Sequence, residues 1–142
     1  MTVRAVSQDT ADGLLPVLRA LCQGAAPCGG VPLAPRAIAA AQEAWGAGAM
    51  ARTVALAHLL AELRLSRRAV FHYANPDCPC CRLKATPNER AFLALARAGL
   101  AGQRSAATGA ALILTEGGPV EPVCNAALAL RAIWAAAPGQ AT

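Results

Sequence analysis

Three cysteines fall within four residues at Cys78-Pro79-Cys80-Cys81, inside the stretch H-Y-A-N-P-D-C-P-C-C-R-L-K-A-T-P-N-E that runs from His72 to Glu89. The same stretch carries the only lysine, Lys84, and one of the two histidines. Cys78 and Cys81 form a C-x-x-C pair. Two residues between thiolates let a single turn bring both sulfurs to one ion, and the N–H groups inside that turn can bond the sulfurs. Cys78 and Cys80 form a C-x-C, a spacing that soft ions such as Cu(I) accept. Zinc is the metal this pattern suits first, with Cys78, Cys81, Cys80, His72 and Cys124 as candidate ligands. His72 lies six residues before Cys78 and can reach back. Cys80 would strain to share a tetrahedral ion with its neighbour Cys81, and Cys124 is distant in sequence.

Over five residues the turn resembles the zinc-knuckle half-site, C-P-x-C-G. The match is Cys78, Pro79 and Cys81, with Arg82 where the knuckle has its glycine. The resemblance implies a metal turn. The same atoms also suit redox chemistry. A thiolate is the reactive form of cysteine, and a nearby cation or helix N-terminus lowers the thiol pKa. Arg82 and Lys84 are adjacent, and a helix is expected from Pro87. A third reading makes the stretch a tight turn of reduced thiols, with Asn75 and Asp77 as turn formers.

The expectation is therefore a small, non-enzymatic protein that binds a thiophilic metal through its Cys-rich turn, for structure or sensing. The alternatives are a dithiol redox protein or thiol-based sensor using Cys78 and Cys81, and a helical interaction module whose thiols are structural. No cofactor beyond a metal is expected. No Walker loop, G-x-G-x-x-G, H-E-x-x-H or G-x-S-x-G occurs. With eight carboxylates in 142 residues, no acid pair stands out for hydrolytic chemistry. His58 on an Ala/Leu helix reads as a surface or satisfied histidine. Cys22 and Cys28 flank a loop and read as packing residues.

Hydrophobic residues make up 56% of the chain and charged ones 15%, which suits one folded domain. Twelve of the thirteen basic residues are arginine, and alanine dominates. A GC-rich bacterial genome accounts for both biases. The formal charge of +5 concentrates between Arg64 and Arg104, where eight basic residues face only Asp77 and Glu89. That run can attract an acidic protein partner. Nucleic acid is not expected, because no aromatic residues interleave with the cations. The first residues lack the apolar core of a signal peptide, and charges interrupt every apolar stretch too early for a membrane span. A reducing cytoplasm is the expected setting, where six cysteines stay thiols or bind metal.

The rest of the chain must position that turn, and it reads as an all-α, compact single-domain bundle of five or six short helices over residues 1–142. Residues 1–11 form a loose N-terminal arm. Asp12 to Cys22 places Leu14, Leu15, Leu18 and Leu21 on one face. Residues 35–46 and 49–66 form two helices, broken at Gly46 and Gly48. Ala69 to Tyr73 is extended. Thr86-Pro87-Asn88-Glu89 is a capping box that opens a helix to about residue 99. Two more helices follow, over 105–115 and from Glu121 or Pro122 to Ala136. The Cys-rich turn thus joins the third helix to the fourth. Ala-rich, Gly-dotted helices offer small-residue faces that suit a homodimer. Trp45, Phe71, Phe92 and Trp134 are the large pieces for the core.

Overall fold

The computed structural model describes residues 12–25 and 30–136. The expected arm 1–11 and Cys28 lie outside the described residues. Six α-helices are present among the described residues: α1 (Leu14–Gly24), α2 (Pro35–Trp45), α3 (Ala49–Ser66), α4 (Pro87–Leu100), α5 (Arg104–Thr115) and α6 (Glu121–Ala135). There is no strand among the described residues, and the fold is the all-α bundle the hydrophobic spacing predicts. No helix among these residues is long and apolar enough to cross a membrane.

The breaks follow from local chemistry. Gly46 has φ +61°, a left-handed conformation that a side chain disfavours, and a 3₁₀ turn from Gly46 to Gly48 separates α2 from α3. Pro35 and Pro87 stand at the first helical position of α2 and α4. At the start of α4 the Thr86 hydroxyl accepts the Glu89 N–H at 3.0 Å, and the Glu89 carboxylate accepts the Thr86 N–H at 2.8 Å. The expected capping box is complete.

The helices α4, α5 and α6 pack on one another, and α6 also packs on α3. Helix α2 lies against both α1 and α3, and α1 returns to touch α3 and α4. The interior is mostly leucine and alanine: Leu14, Leu18, Leu56, Leu60, Leu63, Leu93 and Leu95 are all fully buried. Phe92 is the one aromatic buried outright among the described residues; Phe71 meets it edge-on with ring centroids 6.1 Å apart. Trp45 and Trp134 are only partly buried and form a second T-shaped pair at 5.2 Å. Arg52 stacks over the outer side of that pair, 5.0 Å from the Trp134 ring.

Small residues set how closely α4 and α6 approach. A Cβ on Gly99 would overlap the backbone carbonyl of Ala127 in α6, and backbone cannot move aside as a flexible side chain can. Gly99→Ala is therefore expected to destabilise the fold by about 1–3 kcal/mol, despite alanine's better helix propensity. Urea unfolding measures this directly. Gly109 in α5 is the internal control: a Cβ there meets nothing, so Gly109→Ala should be neutral or stabilising.

The basic run from Arg64 to Arg104 is not one solvated face. Arg67 has a side chain only 6% exposed. Its guanidinium donates to the carbonyls of Ala69, Val70 and Leu114, tying the end of α3 to the end of α5. It serves as a structural clamp, not as a cation on the helix dipole. Arg97 is also engaged, donating to Asp12 at 2.8 Å.

Candidate functional site

The loop between α3 and α4 is built around one carboxylate. Glu89 is fully buried and accepts four hydrogen bonds. Two come from Arg19 of α1, at 2.7 and 3.1 Å, and two from the N–H groups of Ala74 and Thr86, at 3.2 and 2.8 Å. Arg19 is itself only 4% exposed and gives two further donors to the carbonyls of Arg82 and Lys84, at 2.9 and 3.0 Å. A buried charge needs a partner and satisfied lone pairs. Here the two charges satisfy each other and four backbone groups of the loop. The stretch from Ala74 to Thr86 is thus pinned at its start, near its end and behind the sulfur turn.

Thr86 and Asn88 add a second set of ties. The Thr86 hydroxyl donates to the His72 carbonyl at 2.7 Å, and the Asn88 side-chain oxygen accepts the His72 N–H at 2.8 Å. Sequence reasoning assigns Thr86 to Glu89 entirely to helix capping. The structure gives the same residues the further task of holding the loop.

Between these anchors the chain makes a short series of turns. The Asn75 side chain accepts the Asp77 N–H at 2.9 Å, and its carbonyl accepts the Cys78 N–H at 3.1 Å. A 3₁₀ turn from Cys81 to Leu83 follows. Asp77 is fixed from outside by Arg36 of α2 and Gln23 of α1, which hold its carboxyl below the usual carboxylate range.

The turn brings Cys78 and Cys81 together, with their Sγ atoms 2.7 Å apart. The Cys81 N–H also donates to the Cys78 sulfur at 3.2 Å. A negative Cys78 is favoured, and its pKa lowered, first by the contact with the Cys81 side chain, then by that N–H and, further down, by Arg82. The Cys81 pKa moves the other way, because the contact with Cys78 favours its protonated form and it would have to ionise beside that sulfur. The two thiols are alike in sequence, and the Cys81 N–H on the Cys78 sulfur sets them apart in the fold. Both lie at the surface, Cys81 exposed and Cys78 partly so. Cys80 is exposed beside them.

The other candidate ligands lie elsewhere. Cys124 is 3% exposed in the first turn of α6, where its sulfur lies 3.5 Å from the Thr108 hydroxyl of α5. His72 is held by its backbone and its residue is exposed. Among the described residues no group of three or more His, Cys, Asp or Glu side chains is placed to hold one metal ion. Cys22 packs against the core, and burial, with Glu89 nearby, pushes its thiol up to about 12. It is a packing residue, as its place beside the α1 leucines implies.

Arg19 is the residue sequence reasoning missed. Its signal was present: it lies four residues after Leu15, on the apolar face of α1. An arginine on that face must find a buried acid. The eventual partner is Glu89, seventy residues away.

No family model, curated protein or solved structure matches this chain.

Proposed function

We propose that this is a dithiol redox protein, a thiol-based sensor in which Cys78 and Cys81 pass between two thiols and one internal disulfide. The observation that carries this reading is the 2.7 Å approach of the two sulfurs with the Cys81 N–H on Cys78. Thiol–disulfide exchange needs an accessible thiolate and a second thiol within reach to resolve the mixed disulfide. The opposite pKa directions supply that division of labour. In a reducing cytoplasm the pair rests as thiols until an oxidant arrives.

Metal binding is the second reading, favoured by the N–H to sulfur bond that metal turns also use. Zinc bonds of about 2.3 Å in a tetrahedron hold two thiolate sulfurs about 3.8 Å apart. The sulfurs here would have to separate, and further ligands would have to come from outside the described clusters. Elemental analysis of untagged protein separates the two: one equivalent of zinc supports this second reading.

The redox reading is tested by alkylation with iodoacetamide, followed by peptide mapping between pH 5 and 9. Cys78 is expected to react first, with a midpoint below that of a free thiol, because its pKa is lowered. Cys22 should stay unmodified in the folded protein throughout, its pKa standing near 12. Equal rates at Cys78, Cys80 and Cys81, rising together at the pH of an ordinary thiol, would contradict the proposal.

A further inference from the structure

A cleft of about 390 Å³ opens between α1, α2 and the Cys-rich loop. We infer that it seats a small disulfide bearing carboxylate groups, and that this molecule is the exchange partner of Cys78. The inference rests on the redox reading above and names its substrate class.

The cleft adjoins the sulfur turn, whose cysteines stand just outside its lining. Pro76 and Arg82 both line it, one standing two residues before Cys78 and the other immediately after Cys81. A molecule seated there lies against both flanks of the turn. The volume is that of a small-molecule site. Its surface is mainly apolar, from Pro16, Ala20, Ala40 and Leu83. Leu83 is 62% exposed, an uncommon position for a leucine at the mouth of a cleft.

The charged groups in the lining are all cationic: Arg19, Arg36 and Arg82, with no carboxylate among them. They are not equivalent. The charge of Arg19 is matched by Glu89. Arg36 is shared with Asp77, whose carboxylate lies outside the lining. The Arg82 guanidinium makes no ion pair or hydrogen bond among the described residues; its backbone alone is engaged, the N–H donating to the Cys78 carbonyl and the carbonyl accepting from Arg19. Arg82 lines the cleft, and a planar guanidinium with unused donors suits a carboxylate. A short aliphatic disulfide with terminal carboxylates fits both features, with its methylenes on the apolar floor and its acid on Arg82.

The exchange balances in two steps. The Cys78 thiolate attacks one sulfur of the bound disulfide, forming a mixed disulfide and expelling the first thiolate. The Cys81 thiol then gives up its proton, and its sulfur attacks that of Cys78. The Cys78–Cys81 disulfide forms and the second thiolate leaves. The protein dithiol loses two electrons, the bound disulfide gains them, and both thiol protons end on the two products.

The test compares oxidation of the reduced protein by three disulfides: 3,3′-dithiodipropionate, neutral 2-hydroxyethyl disulfide and cationic cystamine. Each rate is divided by that of 2-mercaptoethanol with the same disulfide, which removes intrinsic reactivity. The dicarboxylate is expected to lead the neutral compound about tenfold at low salt, as one charge-assisted contact implies, and to lose much of that lead at high salt. Arg82→Gln should collapse the dicarboxylate-to-neutral ratio to about one, whereas Lys84→Gln, which removes the same charge outside the cleft, should preserve it. The ratio is the deciding quantity because Arg82 also acts on Cys78, which slows all three reactions alike in the variant. Equal normalised rates, or a ratio unchanged by Arg82→Gln, would overturn the cleft while the dithiol reading stands. No internal disulfide with any of the three compounds would overturn both.

Discussion

Replacing Glu89 by glutamine is expected to cost about 3–5 kcal/mol of stability, the largest effect of any single polar substitution in this chain. The variant keeps the shape of the side chain and removes its charge, leaving the Arg19 guanidinium buried without an anion. It also replaces an acceptor that serves four donors with an amide that must offer an N–H to one of them. The cost corresponds to a fall of roughly 10–20 °C in Tm for a domain of this size. Urea unfolding with an unchanged slope would confirm that the folded state is what lost stability. A change under 1 kcal/mol would show that the carboxylate does not anchor the loop.

Many buried ion pairs can be exchanged for apolar residues at little cost. This one is not expected to behave that way. Glu89 and Arg19 together satisfy the N–H groups of Ala74 and Thr86 and the carbonyls of Arg82 and Lys84. An apolar pair would leave those four backbone groups without partners. Arg19→Met combined with Glu89→Leu should therefore remain about as unstable as Glu89→Gln alone. Because both anchors border the sulfur turn, the variants should also weaken the preference for Cys78 over Cys81.

The second large effect separates the two thiols of the pair. Cys78→Ser should slow reaction with small disulfides by about tenfold, because it removes the favoured thiolate and leaves Cys81, relieved of the sulfur that opposed its ionisation, to react as an ordinary thiol. Cys81→Ser should react at its first step but stop there. The mixed disulfide at Cys78 would accumulate, visible by intact mass, because the resolving sulfur is gone. Cys80→Ser should leave both steps close to the wild type. An adduct trapped on Cys81 in the Cys78→Ser protein, formed at the wild-type rate, would reverse the assigned roles.

The helices were legible because their boundaries are local. Pro35 and Pro87 at first helical positions, Gly46 between α2 and α3, and the Thr86–Glu89 capping box each act within a few residues. The Cys78–Cys81 pair was legible for the same reason, since a C-x-x-C closes within one turn. What stayed hidden depends on which helix faces which. Arg19 and Glu89 are remote in sequence, and only the packing of α1 near the start of α4 joins them. Cys124 is a candidate metal ligand in sequence, and α6 carries it into the contact with Thr108 of α5. Arg67 counts as surface charge until the end of α5 offers it a carbonyl. Of the expected ligands Cys78, Cys80, Cys81, His72 and Cys124, the local pair Cys78 and Cys81 meets within its turn, and Cys124 lies against Thr108.

Equilibration of the wild-type protein in graded dithiothreitol redox buffers will show whether Cys78 and Cys81 form a reversible internal disulfide. After trapping with a maleimide, one two-electron transition is expected in which two thiols are lost. Peptide mapping should place the bond between Cys78 and Cys81, with excess reductant restoring both thiols. Retention of both thiols at every potential, or disulfides that form only between separate molecules, would contradict the dithiol reading.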